Sequence, residues 1–120
     1  MSTVLITGAA SGLGWALAKA CHARGDDLLL TDIDAAGLAA RVAELGSARV
    51  QAVAGDITEP ALHGQLVETC RTTFGRLDVL INNAGVMTPP ERQTTEDGFE
   101  LQLGANHLGH VALVAHLLPL

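Results

Sequence analysis

Three glycines and one carboxylate near the start of this chain form a pattern suited to binding a phosphorylated ligand. Thr7-Gly8-Ala9-Ala10-Ser11-Gly12-Leu13-Gly14 directly follows a short apolar run and opens a segment of helical periodicity. Gly8 permits a tight turn, Gly12 lets the backbone approach a ligand with no Cβ in the way, and Gly14 lets the helix pack close to the strand. The unpaired N–H groups where that helix begins, around Ser11, Gly12 and Leu13, suit an anion such as a diphosphate. No Gly-Lys-Ser/Thr follows, which excludes a P-loop. Asp32 ends the second apolar run, at about the 20-residue spacing of an acid that binds a ribose. Its carboxylate can accept from both adenosine ribose hydroxyls, whereas a 2′-phosphate would meet a like charge. No Lys or Arg stands between Asp32 and Arg41. Losing one or two such bonds costs about 3 kcal/mol, roughly a hundredfold in affinity. NAD is therefore favoured over NADP. Taken singly, the glycines also fit an ordinary sharp turn and Asp32 an ordinary loop cap; the strand–turn–helix context makes them a dinucleotide signature.

The elements that must position these residues alternate along the chain. Thr3–Thr7, Leu28–Thr31, Val50–Val53 and Leu77–Ile81 are short runs, apolar throughout or nearly so, as in parallel strands buried on both faces. Between them lie amphipathic segments, with faces Leu13, Leu17, Ala20 and Cys21; Leu38, Val42 and Leu45; and Leu62, Leu66, Cys70 and Phe74. Asp34 is positioned to cap the second helix and Gly46 to end it. Thr58 is positioned to cap the third, with Pro60 in its first turn and Gly75 after its end. A fourth helix is expected from Thr95-Glu96-Asp97 to about Leu118, after a Pro-containing loop Met87–Thr94. Strand and helix in alternation imply a three-layer, doubly wound α/β fold with a parallel sheet. In the order 3-2-1-4, right-handed crossovers put helices one and two on one face and helices three and four on the other. Cys21 and Cys70 then lie on opposite sides of the sheet, too far apart for a disulfide, and two free thiols are expected.

Composition sets the outer bounds. The chain has 120 residues, 48% of them apolar, enough for one domain with a real core. Seven Lys+Arg against 13 Asp+Glu give a net charge of −6, which disfavours nucleic acid and anionic membrane surfaces as partners. The first basic residue is Lys19, so no signal peptide is expected. Leu101–Leu120 has the length of a membrane span and no Asp, Glu, Lys or Arg. It carries Gln102, Asn106, His107, His110 and His116, however, and a soluble cytoplasmic protein is expected instead.

These residues resemble the short-chain dehydrogenase/reductase family, over the whole chain. The family's cofactor turn has the spacing G-x-x-x-G-x-G, as at Gly8, Gly12 and Gly14. The resemblance implies a Rossmann-like fold and further contacts: Asp56 with Ile57 lies where the adenine ring is held, and a carboxylate can accept its exocyclic amine. Asn82-Asn83-Ala84-Gly85 looks like the family's Asn-Asn-Ala-Gly segment, which lines the ribose and supports the sheet. Asn106 matches the helix Asn of the family's catalytic Asn-Ser-Tyr-Lys set, where it helps hold a water in the proton relay. Residues 97–110 are also similar to members acting on hydrophobic or bulky alcohols and ketones.

Hydride transfer from an alcohol needs a base for the hydroxyl proton, and the family uses a Tyr whose pKa is lowered by a nearby Lys. This chain has no Tyr, and its single Lys, Lys19, lies on the first helix. The family's catalytic Ser and Tyr-x-x-x-Lys come after the point where the chain stops. His110 is one turn beyond Asn106, and His107 and His110 are three apart, but no carboxylate or thiolate completes a base or metal site, and no metal is expected. Residues 1–120 are thus read as one dinucleotide-binding domain, incomplete on its C-terminal side, of an NAD-dependent dehydrogenase acting on a secondary alcohol or ketone. Alternatives are a module that binds NAD without chemistry and a scaffold for a partner. Strand four would present an unpaired edge, and the last helix an apolar stripe of Leu101, Leu108, Val111, Ala112, Ala115 and Leu118, so self-association is expected, as a homo-oligomer through that helix.

Overall fold

The computed structural model describes residues 2–84. Four parallel strands, β1 (Thr3–Thr7), β2 (Asp27–Asp32), β3 (Val50–Ala54) and β4 (Val79–Ile81), form one sheet in the order β3-β2-β1-β4. Helices α1 (Gly12–Arg24), α2 (Ala35–Leu45) and α3 (Pro60–Thr69) make the connections, and a π-helical turn over Cys70–Phe74 prolongs α3. The sheet order is the expected one. Val4 and Ile6 of β1, with Leu28 and Leu30 of β2, face Trp15, Ala18 and Leu38 of α1 and α2. Leu5 and Leu29 point the other way, onto Leu62 and Leu66 of α3 and Cys70 of the π-helical turn. Period-two alternation thus feeds two cores, which is why the central strands read as unbroken apolar runs. Both cysteines are free, on opposite faces.

The details depart from expectation at four places. Leu13 is 66% exposed and Ala20 is exposed, so the buried face of α1 is Gly14, Trp15 and Ala18, with Leu17 and Cys21 packed at its flank. The close approach of Gly14 to Gly8 sets the rotation of the helix, and Leu13 is left at the sheet's end. The cap position of α3 is Glu59, without a side-chain bond, because Thr58 spends its hydroxyl on Asp56 Oδ1 (2.8 Å). β3 is buried only at Val50 and half-buried at Val53, as befits a strand paired on one side among the described residues. β4 begins at Val79: the Asp78 N–H still donates to Thr3 O (3.0 Å), but the Thr3 N–H goes to the Asp78 carboxylate and not to a backbone carbonyl of that strand. Asp34 does cap α2, its Oδ1 accepting from the Gly37 N–H (3.0 Å), and Gly46 and Gly75 close their segments in the left-handed conformation. The expected fourth helix, the loop over 87–94 and the stripe from Leu101 to Leu118 lie outside the described residues.

Two carboxylates pin the start of β1. Ser2 N–H donates to Asp26 Oδ1 (2.9 Å) and Thr3 N–H to Asp78 Oδ2 (2.8 Å), while Arg24 and Arg76 pair with the same side chains. The Ser2 N–H, then Arg24, hold the buried Asp26 carboxyl below the usual carboxylate range; Arg76, then the Thr3 N–H, do so for Asp78. A carboxyl with a lowered folded pKa contributes stability that is present above its unfolded value, near 3.9, and is lost as pH falls through the folded one. The thermal midpoint is expected to hold from pH 7 to about 5 and to fall below about pH 4. Melts of Asp26→Asn, which has one such group fewer, should show a smaller acid loss from a lower neutral starting point; an equal loss in both would contradict this account.

Candidate functional site

The C-terminal ends of the strands open into one cleft of about 500 Å³. Its floor and one wall come from the β1–α1 turn. Gly8 (φ +68°) and Gly12 (φ +57°) take the left-handed conformation that glycine alone adopts without strain. A Cβ on Gly8 would lie 2.9 Å from Ala84 Cα, and one on Gly14 would lie 2.1 Å from Gly8 O. Gly12 has nothing within 4 Å of its Cβ position and faces open space. Gly8 and Gly14 are therefore small because protein backbone touches them, and Gly12 because the cleft needs the room. Ser11, at the cap position of α1, makes no side-chain cap hydrogen bond and is exposed on the cleft with Gly12 and Leu13. The helix thus begins with uncapped N–H groups at the cleft, an arrangement that fits an anion.

Asp32 stands at the end of β2. Its Oδ2 accepts from the Ala10 N–H (2.9 Å) and its Oδ1 from the Asp34 N–H (2.9 Å). The carboxylate is fixed in place by the turn it serves, and each oxygen keeps a lone pair for a ligand hydroxyl. Ala10 is held from its other side by Arg41, whose Nε donates to Ala10 O (2.9 Å) and whose guanidinium lies 4.9 Å from the Trp15 ring centre. Arg41 is thereby committed to the back of the turn. No Lys or Arg lines the cleft among the described residues, while Asp32 and Asp56 both do.

The far wall is the β3–α3 loop. Gly55 N–H donates to Asp32 O (2.9 Å), which joins the ends of β2 and β3. Asp56 Oδ1 accepts from the N–H and the hydroxyl of Thr58, and the buried His63 of α3 meets Ile57 O through its Nε2 at 2.6 Å. The opposite end is closed by Asn83 and Ala84. Their N–H groups both donate to Thr7 Oγ1 (2.9 Å each), and Asn83 Nδ2 reaches Gly8 O at 3.3 Å. This lashes the segment after β4 onto the glycine turn.

A family model described as "short chain dehydrogenase" matches residues 2–120. The chain belongs to the short-chain dehydrogenase family. The 1-deoxy-11-beta-hydroxypentalenate dehydrogenase of Streptomyces avermitilis is 37% identical over 98% of this chain and 46% of its own length. The 3-ketoacyl-(acyl-carrier-protein) reductase of Brucella melitensis, solved in complex with NADH, superposes with a TM-score of 0.85 at 32% identity, over 98% of this chain and 49% of that one. L-sorbose reductase from Gluconobacter frateurii, solved with NADPH and L-sorbose, gives 0.83 at 28% identity, over 98% and 46%. The chain spans about half the length of the relatives it matches.

The short-chain dehydrogenase fold brings together, around one cleft, Gly8, Ser11, Gly12 and Leu13 from the turn, Asp32 from β2, Asp56 and Ile57 from the far loop, and Asn83 and Ala84. Gly14 lies behind the turn instead, as a packing contact. Gly85 and Asn106 fall outside the described residues, as do His107 and His110. The sequence reading missed Thr7, Thr31, Ile33 and Gly55, which also line the cleft. Thr7 and Thr31 read as ordinary strand residues, and only their position at the strand ends, beside the glycine turn, could have marked them. Among the described residues no three His, Cys, Asp or Glu side chains gather as they would around a metal ion, and no helix is long and apolar enough to cross a membrane.

Proposed function

We propose that this cleft binds a nicotinamide adenine dinucleotide, with NAD favoured over NADP, and that the chain is the cofactor-binding half of an oxidoreductase. The observation that carries the reading is the Asp32 carboxylate, fixed by two backbone N–H groups beside the uncapped start of α1. Its position suits the adenosine ribose hydroxyls, the N–H groups of α1 suit the diphosphate, and Asp56-Ile57 suits the adenine. Neighbours of this fold are known with NADH and with NADPH, so the fold alone leaves the choice open. Asp32 and a cleft wall without Lys or Arg among the described residues argue for NAD, since a 2′-phosphate would enter a field of like sign. The cofactor supplies hydride chemistry when bound; the residues named here hold and orient it. Titration of the 120-residue chain, followed by nicotinamide fluorescence, should show tighter binding of NADH than of NADPH. The reverse order would overturn the NAD preference, and binding of neither would leave the scaffold reading.

In a protein of the relatives' length, the reaction would be hydride transfer between NAD and a secondary alcohol or ketone in the cytoplasm, with Asn106 holding a water in the proton relay. With no Tyr, the 120-residue chain should bind without turning over. A second reading is an NAD-binding module without chemistry; turnover by a longer product of the gene would exclude it. β4 pairs only with β1 among the described residues, and that edge supports self-association of this chain, with the last helix as the proposed contact between copies. Light scattering at tens of micromolar should show species larger than 12.4 kDa; a sharp monomer peak would count against the edge and the stripe as sticky surfaces.

A further inference from the structure

Thr31 is 2% exposed, and its hydroxyl is buried without a hydrogen-bond partner among the described residues. The same residue lines the cleft. Its surroundings make this unusual. Thr7, its register partner on β1, accepts two N–H groups through Oγ1, and the carboxylates of Asp32 and Asp56 each accept two donors. A buried hydroxyl with nothing to bond is costly, and a Val of the same shape would remove the cost, so a group in this state calls for a partner supplied from outside the described residues. The cleft beside it is where such a partner can come from.

The position narrows the ligand. Thr31 pairs in register with Val53 on β3 and precedes Asp32 and Ile33, so it lies on the β2–β3 side of the cleft, toward Gly55 and Asp56. Asn83 and Ala84 lie across β1, at the opposite end. We propose that Thr31 Oγ1 hydrogen-bonds the adenosine half of the bound dinucleotide and is a further specificity-determining residue of this cleft. The inference rests on the nucleotide reading above, and it assigns Thr31 to the adenosine and not to the nicotinamide.

Thr31→Val and Thr31→Ser in the 120-residue chain test it, with NADH and 5′-AMP as probes and thermal unfolding of the ligand-free chain as the control. Thr31→Val should bind NADH and AMP about 3- to 10-fold more weakly, the effect of one neutral hydrogen bond. Its ligand-free thermal midpoint should stay level or rise, because an unsatisfied hydroxyl has been removed. Thr31→Ser should keep most of the affinity. Weaker binding with an undiminished midpoint is a combination that a merely structural role would not give. Binding of NADH by Thr31→Val at the parent's strength would overturn the proposal, as would a loss confined to NADH and absent for AMP. A lowered midpoint in Thr31→Val would show the hydroxyl to be structural, and would overturn it too. Failure of the parent chain to bind either probe would remove the nucleotide reading itself, a result distinct from a normal parent and an unaffected variant.

Discussion

Gly14→Ala is expected to be the most damaging single substitution in the described part of this chain. The added Cβ would lie 2.1 Å from Gly8 O and 2.7 Å from Asn83 Nδ2. The first neighbour is backbone in a tight turn and cannot move without taking the turn along. Helix α1 must therefore back away from β1, which loosens Trp15 and Ala18 in the core and parts Asn83 from Gly8. Overpacking of this kind costs about 3 kcal/mol, and the thermal midpoint should fall by roughly 10 °C. Gly12→Ala is the informative contrast. Nothing lies within 4 Å of its Cβ position, so the cost is the left-handed backbone alone, about 1–2 kcal/mol, while the methyl group would project into the cleft. Gly14→Ala should lose stability first and binding as a consequence; Gly12→Ala should lose NADH binding out of proportion to stability. Equal melting of Gly14→Ala and the parent would mean that α1 does not pack as closely on the turn as described.

Asp32→Ala should weaken NADH by about a hundredfold, some 3 kcal/mol, through loss of one or two charge-assisted hydrogen bonds to the ribose. NADPH should suffer much less, because the like charge facing its 2′-phosphate disappears as well, so the preference between the two narrows or inverts. The structure adds a complication. The carboxylate also holds the Ala10 and Asp34 N–H groups, and its removal leaves both without their acceptor. Part of the loss in Asp32→Ala therefore belongs to a loosened glycine turn. Asp32→Asn separates the two effects, since it keeps the shape and one acceptor oxygen while removing the charge. Its thermal midpoint should lie between those of the parent and Asp32→Ala, and its NADPH-to-NADH ratio should move as far as that of Asp32→Ala. Undiminished NADH binding in both variants would detach Asp32 from the ribose altogether.

The topology was legible from the one-dimensional pattern because two-faced burial leaves a plain trace. Val4-Leu5-Ile6 and Leu28-Leu29-Leu30 are apolar at every position since each strand serves both cores. Asp34 and Gly46 mark their helix ends through local chemistry that needs no knowledge of the rest of the fold. The glycine spacing with Asp32 was equally readable, because close approach and positive φ are demands that few residue types meet. What failed to read correctly depended on packing and on competition for hydrogen bonds. The buried face of α1 is set by Gly14 against Gly8 and by the end of the sheet, so Leu13 and Ala20 fit the helical period yet lie outside the core. Thr58 has the chemistry of a cap, but a neighbouring carboxylate claims it.

The linear order of residues suffices for the class of the protein: a strand–turn–helix anion site, an acid at ribose spacing and a run of strands that must lie parallel. Which groups share the cleft is settled by folding. Folding turned Arg41 onto Trp15 and Ala10, joined Asn83 and Ala84 to the glycine turn through Thr7, and left the hydroxyl of Thr31 buried on the cleft wall. Local propensity and periodicity are written in neighbouring residues, whereas the contacts that shape the cleft join residues far apart in the chain, 31 positions for Arg41 and Ala10 and 76 for Asn83 and Thr7, and these fix what a ligand can touch.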